Sequence, residues 1–350
     1  MTAAALADAI GDRARALGFP KPGFCSAELP PEASFYDRWL RAGMHGEMEW
    51  MRTTRDRRLD PGRLLPGVRS VVVVAFPYTS PGSPRPDPGR FRGAVARYAA
   101  GRDYHEEVGE RLRLLAEFIE SRSVGARALP CVDAAPILER LFAAQAGLGW
   151  IGRNSLVLDA ELGSWFFLGV ILTTAALPPG EPAADRCGSC RLCIDACPTG
   201  AIVPGRMVDS RRCLSYHTIE LRGAIPEYAR APLGSRVFGC DDCQEVCPWN
   251  NPQPQACPPD DQAPALIDLL LMTHEDYLRR FQDSAIRRAT WRGMRRNAAV
   301  ALGNTLRSHG VQHHDQKDHA EVVAALRRIA DDLREDPLVR DAARSALTPP

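Results

Sequence analysis

A run of four closely spaced cysteines constrains this chain more than any other part of its sequence. It reads Cys187-x2-Cys190-x2-Cys193-x3-Cys197-Pro198, which is the spacing that bacterial ferredoxins use for [4Fe–4S] clusters. Thiolates in one loop can reach three corners of a cubane, and the fourth cysteine ligates a different cluster. Structural zinc is the alternative, but zinc sites usually pair CxxC motifs or include histidine. The run therefore predicts iron–sulfur clusters.

A second set of cysteines resembles an incomplete copy of the first. It reads Cys240-x2-Cys243-x3-Cys247-Pro248, and Cys213 lies upstream, where it can supply the missing thiolate. The cysteines then suffice for two cubanes with four ligands each. In the crossed arrangement that we expect, one cluster takes Cys187, Cys190, Cys193 and Cys247, and the other takes Cys197, Cys213, Cys240 and Cys243.

The remaining cysteines have plainer interpretations. Cys25 and Cys257 are expected to be core or surface thiols. Cys131 lies two residues before Asp133, so both side chains would face the same side of an extended segment. Cys131 is therefore either a wall of a pocket or a small buried hydrophobic residue.

Length and composition describe an ordinary globular protein. The 350 residues favour two or three domains, and a net charge of +1 excludes a whole-protein field that attracts polyanions. The N-terminus does not resemble a signal peptide, because charged residues interrupt it. No apolar run reaches the ~20 residues that span a bilayer. We therefore expect a cytoplasmic protein, in which dense cysteines indicate metal and not disulfides.

The pattern of the chain predicts an α+β multidomain fold. Residues 1–178 mix strand and helix signals and indicate an α/β domain, which would bind the cofactor and hold the catalytic site. Residues 179–260 predict a ferredoxin-like domain with two clusters. Residues 261–350 predict a helical domain, since "RRNAAVALGN" and "DPLVRDAARSAL" resemble HEAT-type units. A small helical bundle is the alternative for this last region.

Within the first region, individual elements can be predicted. The β-branched run "SVVVVAFPY" predicts a strand buried on both faces, and "HEEVGERLRLLAEFIESRS" has helical periodicity. A second helix is expected to begin near Pro136 and to stop at Gly147. "SLVLDAELGSWFFLGVILTT" predicts two strands joined by a turn. The proline-rich segment Thr79–Arg90 predicts a surface loop.

Two clusters form an electron relay, so something nearby must receive the electrons. "GLGWIG" has dinucleotide-binding spacing, but it follows a predicted helix and not a strand, which excludes a Rossmann site. "DYHEEVG" misses the cobalt-ligating pattern DxHxxG by one residue. The sequence therefore does not predict that His105 ligates cobalt.

Several longer motifs carry a family resemblance. "ARYAAGRDYH", "VDAAPILER", "GWIGRNSL", "GSWFFLGVILT", "CGSCRLCIDACPTGAI", "SYHTIELRG" and "FGCDDCQEVCPWN" occur in this order. Together they resemble the epoxyqueuosine reductases over about residues 48–250, a family similar to reductive dehalogenases. The resemblance implies reduction of the epoxide of epoxyqueuosine, at the wobble position of tRNA, to queuosine. It also implies a monomer that uses cobalamin without a protein axial ligand, two [4Fe–4S] clusters and an external electron donor.

The resemblance further implies that Asp133 donates a proton. Losing the epoxide oxygen as water requires two electrons and two protons, and a carboxyl beside an apolar corrin would be desolvated. Desolvation would raise its pKa and keep it protonated near neutrality. The family usually has threonine next, where Ala134 stands here, so a supporting hydrogen bond is in question. The alternative role for Asp133 is the N-cap of the helix that follows.

Other polar residues in these motifs could contact the corrin. For each of them, a solvated surface position or a structural ion pair is the alternative. The candidates are Arg55, Arg97, Arg153, Asn154, Ser155, Ser215, Tyr216, His217, Thr218, Arg222, Asp241 and Asp242.

An arginine-rich stretch predicts a nucleic-acid surface. From residue 279 to residue 307 the sole acid is Asp283, and Trp291 lies among the arginines. The candidates for RNA binding are Arg279, Arg280, Arg287, Arg288, Arg292, Arg295 and Arg296, with Arg307 beyond them. Those at 288, 292, 295 and 296 would share one helical face and could hold phosphates. The alternative is a solvated helix face.

Two other functions stay open from the sequence. A reductive dehalogenase of small molecules would use the same cofactors but would not need the arginine stretch. A non-catalytic electron carrier would need neither the α/β region nor Asp133.

Overall fold

The computed structural model describes residues 1–78, 91–250, 263–308 and 316–348. The predicted loop at 79–90, the proline-rich boundary at 251–262 and Cys257 lie outside these residues. In the first region the helices are α1 Ala3–Ala16, α2 Ser34–Arg41, α3 Glu49–Thr53, α4 Arg55–Arg58, α5 Tyr104–Arg122 and α6 Glu139–Gln145. Its strands are β1 Pro22–Ser26, β2 Ser70–Pro77, β3 Ala94–Val95, β4 Ala128–Cys131, β5 Trp150–Ile151, β6 Val157–Leu158 and β7 Phe166–Thr173.

The cysteine region contains short helices and short strands, whereas the C-terminal region is built from helices. The cysteine region contains α7 Leu192–Asp195, β8 Ile202–Val203, β9 Met207–Val208, α8 Leu214–Ile219, α9 Glu227–Leu233, β10 Arg236–Phe238 and α10 Asp242–Glu245. The C-terminal region contains α11 Leu266–Leu271, α12 His274–Arg280, α13 Trp291–Ser308, α14 Gln316–Asp331 and α15 Pro337–Leu347. A helical C-terminal region agrees with the sequence prediction.

The valine-rich strand β2 is central to a sheet of four strands in the order β1-β2-β7-β4. The sheet is antiparallel, with Val71 opposite Leu172 in β7. Val72 and Val74 pack with α1 and α5 on one face, whereas Val71 and Val73 pack with α6 on the other. The prediction of a strand buried on both faces is confirmed.

The second predicted helix begins later than expected. The segment after β4 stays irregular until Leu138, which is the N-cap of α6. Asp133 therefore does not cap this helix, and the capping interpretation is wrong. The two strands predicted after residue 155 exist, but they do not pair, because β6 joins β5 while β7 joins the main sheet.

Short elements join the three regions. Strand β10 of the cysteine region pairs with β3 in a parallel ladder, so the cysteine region is tied directly to the first. Helix α13 packs on α15 and α11, and also on β10 and α9. Among the residues that the structure describes, no helix is long and apolar enough to cross a membrane.

Candidate functional site

Four cysteines from the two sets line one cavity, which we call the cysteine cavity. Its thiols are Cys187, Cys190, Cys193 and Cys247. The first three lie around α7, and the last follows α10, more than fifty residues along the chain. The indole of Trp150 donates to the Cys187 sulfur at 3.4 Å. The structure thus brings together the four residues that the crossed arrangement assigns to one cluster.

The other four predicted ligands are also neighbours. Cys197 and Cys213 interact electrostatically, and so do Cys213, Cys240 and Cys243. Burial raises the pKa of Cys240 to about 12, with Asp242 adding to the shift. Burial also raises the pKa of Cys213 and of Cys243, whose thiols lie deeper in the protein. These thiols hold their protons until a metal replaces them.

The donor set suits clusters better than a single ion. In residues 1–78, 91–250, 263–308 and 316–348, no three cysteine, histidine or acidic side chains converge closely enough to hold one metal ion. Each thiolate of a cubane site binds a different iron, so its four sulfurs surround a space instead of meeting at a point. Sulfurs arranged around a cavity have this geometry.

The remaining described cysteines lie in the core of the first region. Cys25 and Cys131 are each 3% exposed and pack in the same hydrophobic cluster. Burial raises the pKa of each thiol to about 12. Cys131 is therefore a small buried hydrophobic residue and not a pocket wall.

Asp133 lies in a strained turn beside the start of α5. Its φ is +40°, in the left-handed region that residues other than glycine rarely adopt. The hydroxyl of Tyr104 donates to its Oδ2 at 2.6 Å, and Nε2 of His105 lies 3.3 Å from the same oxygen. On the other side of the imidazole, Nδ1 of His105 is 2.7 Å from Oδ1 of Asp103. Both ring nitrogens of His105 therefore face carboxylates.

These contacts determine where the proton resides. Burial alone would raise the pKa of Asp133, but hydrogen bonds from His105 and Tyr104 outweigh it and leave that pKa below its ordinary value. The hydrogen bond to Asp133, opposed by partial burial and reinforced by Asp103, raises the pKa of His105 to about 8. In the protein without a cofactor the pKa of Asp133 is thus lowered, because charged and hydroxyl donors face it, and the raised pKa expected beside a bound corrin stays a prediction.

Glu139 holds the backbone of the same turn, and sequence reasoning missed it. Its Oε1 accepts the backbone N–H of Asp133 at 2.7 Å. Burial raises the pKa of Glu139 to about 8, and the carboxylate of Asp133 adds to the shift. In the sequence, Glu139 is an acid six positions after Asp133, within the motif "VDAAPILER". That spacing does not reveal that its side chain turns back to the backbone of Asp133.

Asp133 shares one surface with Tyr104, His105 and Arg140, and we call these four residues the Asp133 cleft. The side chain of Asp133 is 61% open to solvent. Tyr104 stacks on Phe167 with ring centroids 4.0 Å apart. The cleft thus combines flat aromatic rings with a few polar ends, the surface that a planar macrocycle with amide arms requires.

Three of the predicted cofactor-contacting residues lie between the first region and the cysteine region, and we call them the bridging residues. The backbone N–H of Arg97 donates to Asp241 at 2.8 Å, and its guanidinium lies 5.1 Å from the ring centre of Trp165. The amide of Asn154 donates to the carbonyl of Cys243 at 3.3 Å. The bridging residues Arg97, Asn154 and Asp241 thus join the first region to the cysteine region.

Three more candidates lie close to these. The guanidinium of Arg153 donates to the carbonyl of Gly188 at 2.6 Å and lines the cysteine cavity. The carbonyl and hydroxyl of Ser155 accept from Arg140, at 2.6 and 3.1 Å. Asp242 forms an ion pair with Arg236.

Other candidates are used within the fold. Arg55 forms a two-pronged ion pair with Asp37, at 2.6 and 2.7 Å, so the structural alternative holds for it. Thr218 is fully buried, and its hydroxyl donates to Leu214 and accepts from Gly239. The prediction that the Thr218 side chain contacts the corrin is therefore wrong.

The neighbours of Thr218 in "SYHTIELRG" mostly stabilise this part of the fold. The side chain of His217 is 1% exposed, and burial together with Arg296 lowers its pKa to about 4. The hydroxyl of Tyr216 accepts the backbone N–H of Glu47 at 2.7 Å. Arg222 donates to Ile219, and the backbone of Ser215 accepts from Thr218. Within the described residues, none of these four side chains forms a hydrogen bond or an ion pair with the residues of the Asp133 cleft.

The predicted arginine surface divides into buried and exposed members. Arg295 forms a buried ion pair with Glu335, and Arg296 donates to the carbonyls of His217, Leu221 and Gly223. Arg295 is 5% exposed, and Arg296 is 1% exposed. The prediction that these two bind RNA phosphates is wrong, because that face of α13 packs against other parts of the chain.

The other arginines remain at the surface. Arg288 pairs with Glu220 at 2.8 Å, lies over Trp50 and is close enough to Asp133 to feel its charge. Arg292 keeps a side chain that is 53% exposed. The remaining exposed members are Arg279, Arg280, Arg287 and Arg307.

Family models match two parts of the chain. A model described as "4Fe-4S double cluster binding domain" matches residues 186–250, which contain both cysteine sets. A model described as "Epoxyqueuosine reductase QueG, DUF1730" matches residues 58–134, which end one residue after Asp133.

Whole proteins match over most of the chain. Epoxyqueuosine reductase of Vibrio cholerae is 44% identical over 309 residues, covering 85% of this chain and 83% of the relative. The enzyme of Escherichia coli K12 is 44% identical over 303 residues, covering 82% and 78%. The enzyme of Pseudomonas aeruginosa is 44% identical over 318 residues, covering 86% of each.

A solved epoxyqueuosine reductase bound to an epoxyqueuosine-modified stem loop of a tyrosine tRNA matches with a TM-score of 0.85 and 28% identity. The match covers 99% of this chain and 90% of that one. The Bacillus subtilis enzyme, with its catalytic aspartate loop swung out of the active site, matches with a TM-score of 0.84 at the same identity and coverage. By identity and coverage together, this chain belongs to the epoxyqueuosine reductases, a family of oxidoreductases.

Proposed function

We propose that this chain reduces the epoxide of epoxyqueuosine, at the wobble position of tRNA, to queuosine, with Asp133 as the proton donor. The observation that carries the proposal is the Asp133 cleft, where a carboxyl with proton-bearing neighbours opens toward solvent. A pure electron carrier needs no such group. A dehalogenase of small molecules is disfavoured by the family to which the chain belongs.

The cofactors we propose are two [4Fe–4S] clusters, on the crossed cysteine sets, and cobalamin in the Asp133 cleft. When bound, the clusters pass on single electrons from an external donor, and cobalamin supplies the strong reductant that an epoxide requires. Arg97, Asn154 and Asp241 would lie between the two cofactor sites, with Arg153 and Ser155 nearby. Because His105 has a carboxylate at each ring nitrogen, it is not free to act as an axial ligand.

Asp133 would give a proton to the departing epoxide oxygen. Its Oδ2 is held by Tyr104 and His105, and its backbone by Glu139, so the carboxyl is oriented before the substrate arrives. Orientation of this kind reduces the reorganisation that proton transfer requires. Ala134 supplies no hydroxyl, so this network takes over the support that threonine would give.

The substrate that we propose is tRNA, held as a monomeric complex by the exposed arginines. A relative with the same fold binds an epoxyqueuosine-modified tRNA stem loop. Arg288 is the arginine that approaches the Asp133 cleft, and Arg292 lies on the neighbouring surface of α13. Charged groups so placed would hold phosphates while the wobble base is turned into the cleft.

The test uses the reconstituted protein under anaerobic conditions with a reductant. An epoxyqueuosine-modified tRNA stem loop is added with and without cobalamin, and the nucleosides are identified by mass spectrometry. We expect queuosine with cobalamin and none without it. Queuosine formed at the same rate in both reactions would overturn the cofactor assignment, and no queuosine in either reaction would overturn the proposed function.

A further inference from the structure

The proton that Asp133 delivers must come from another group. In the structure the carboxyl of Asp133 has a lowered pKa and is ionised near neutrality. An ionised carboxylate cannot act as an acid until it receives a proton. A proton-bearing side chain in contact with Asp133 can supply it directly, and two side chains satisfy this condition, Tyr104 and His105.

The geometry points to Asp103, His105 and Asp133 as a proton relay, in which His105 stores the proton that Asp133 hands to the substrate. The imidazole lies between the two carboxylates, with Nδ1 at 2.7 Å from Asp103 and Nε2 at 3.3 Å from Asp133. This inference rests on the proposed role of Asp133 and adds a residue to it. His105 would contact Asp133 and not the substrate, so it is a positioning and proton-storing residue.

Asp103 is fixed at the head of the relay by two independent contacts. Its carboxylate caps α5 by accepting the backbone N–H of His105 at 3.0 Å, and its own backbone N–H donates to the backbone carbonyl of Asp283 at 2.7 Å. The same oxygen that caps the helix therefore holds Nδ1 of the imidazole. This arrangement fixes the tautomer, so that Nε2 carries the mobile proton toward Asp133.

The protonation states agree with this direction of transfer. The pKa of His105 is raised to about 8, so its imidazole is charged at neutral pH. Burial and Asp133 raise the pKa of Tyr104 further above its ordinary value, which makes its hydroxyl a permanent donor and a poor acid. The charged groups around Asp133 from other elements are Glu139 and Arg140 on α6, and Arg288 near α13.

The proton balance of the step is simple. The N–H bond at Nε2 of His105 breaks as an O–H bond forms at Oδ2 of Asp133. That O–H bond breaks in turn as the epoxide oxygen takes the proton, so Asp133 ends as the carboxylate that it was at the start. His105 becomes neutral and keeps Nδ1–H on Asp103. Its side chain is 38% exposed, so solvent can return the proton after each turnover.

The test compares His105→Gln with wild type in the full-length holoenzyme. Glutamine keeps a donor to Asp133 but cannot store a proton, so turnover at pH 7 should fall about 100-fold while KM for the tRNA stem loop is unchanged. The decline of turnover with rising pH near 8, expected for wild type, should vanish in the variant. Tyr104→Phe serves as the matched control, because it removes the other donor and should keep the decline.

A second measurement does not depend on activity. In holoenzyme carrying 13C-labelled histidine, the signal that disappears in His105→Gln should titrate near pH 8, and in Asp133→Asn its pKa should fall toward about 6.5. A titration that Asp133→Asn leaves unchanged, or wild-type turnover in His105→Gln, would overturn the relay. Wild-type turnover in Asp133→Asn would instead overturn the proposed proton donor, so the two failures are distinguishable.

Discussion

The cysteine cavity and the Asp133 cleft differ in how far the protein alone completes them. At the cleft, Asp133 and His105 are in contact with each other, and Asp103 holds the other nitrogen of His105, so these side chains satisfy one another. In the cavity, burial and neighbouring thiols raise the pKa of Cys193 and of Cys247. The proton-handling site is therefore formed by side chains, whereas the electron-handling site needs a metal to become charged.

The largest expected effect is the loss of one cluster from the cysteine cavity. Cys247→Ala should lower the iron content from about eight to about four atoms per chain, because the second cluster keeps all its ligands. Cys25→Ala is the matched control, since Cys25 is equally buried but far from either set, and it should keep the iron. Iron and acid-labile sulfide would be measured in each variant.

Double variants test whether the two cysteine sets are crossed. Cys187→Ala with Cys247→Ala removes two ligands of one cluster, and should lose no more iron than Cys247→Ala alone. Cys187→Ala with Cys243→Ala removes one ligand from each, and should lose nearly all the iron. Loss of nearly all the iron from both double variants would show that each cysteine set holds its own cluster.

The next prediction distinguishes a buried arginine, Arg296, from an exposed one, Arg288. Arg296 donates to the carbonyls of His217, Leu221 and Gly223, and so anchors the segment after Cys213. Arg296→Leu should therefore destabilise the protein by about 3 kcal/mol, because buried carbonyls lose their donor. Arg288→Leu should leave thermal unfolding nearly unchanged and weaken binding of the tRNA stem loop several-fold. Equal effects on binding by both variants would contradict this division.

A smaller effect concerns the turn that holds Asp133. Glu139→Leu removes the acceptor of the Asp133 backbone N–H, so hydrogen exchange in residues 131–136 should accelerate, and turnover should fall about tenfold through misplacement of the carboxyl. Glu139→Gln keeps an acceptor and should retain slow exchange. If hydrogen exchange in residues 131–136 is equally fast in Glu139→Leu and Glu139→Gln, Glu139 does not hold the turn.

Glutamine at position 139 should also stabilise the protein at high pH. Glutamate in an unfolded chain ionises near ~4.3, whereas the pKa of Glu139 in the fold is raised to about 8. The folded carboxyl thus keeps a proton that the unfolded one loses, and wild type is weakened progressively between these pH values. The advantage of Glu139→Gln in thermal unfolding should therefore grow with pH up to about 8 and then stay constant.

The smallest effect is the contribution of His105 to stability. Its pKa is raised in the fold, so its stabilising effect is complete below about 6.5 and is lost as pH rises through about 8. After allowance for solvent exposure, it should amount to about 1 kcal/mol. The difference in unfolding free energy between wild type and His105→Gln should shrink from pH 6 to pH 9, and a constant difference would count against the charged imidazole.

The cysteine sets could be predicted because their spacing alone limits what they can bind. The thiols of Cys187 and Cys190 are joined by a chain too short to separate them, so the sequence determines their neighbourhood. The grouping of Cys247 with Cys187, Cys190 and Cys193 around one cavity depends on the fold, and the ferredoxin spacing, in which the fourth cysteine ligates the other cluster, predicts it. The strand at 70–77 was predicted for a similar reason, since consecutive valines suit burial on both faces.

The charge at Asp133 could not be predicted, because its partners come from elsewhere in the chain. Tyr104 and His105 are almost thirty residues upstream, and α5 must pack beside β4 before they meet Asp133. The prediction that Arg295 and Arg296 bind RNA was wrong for a related reason. Helical periodicity places Arg292 and Arg296 on one side of α13, but it does not reveal that the cysteine region covers part of that side.

The most direct test of the division between electron and proton handling is one experiment on Asp133→Asn. The variant is reconstituted with clusters and cobalamin, reduced anaerobically in a cuvette and mixed with the epoxyqueuosine-modified stem loop. The visible spectrum reports arrival of electrons at the cofactors, and mass spectrometry of the same sample reports queuosine. We expect a wild-type rate of cofactor reduction with turnover lowered by about 100-fold or more. Full turnover in Asp133→Asn, or failure of the cofactors to reduce, would contradict the account.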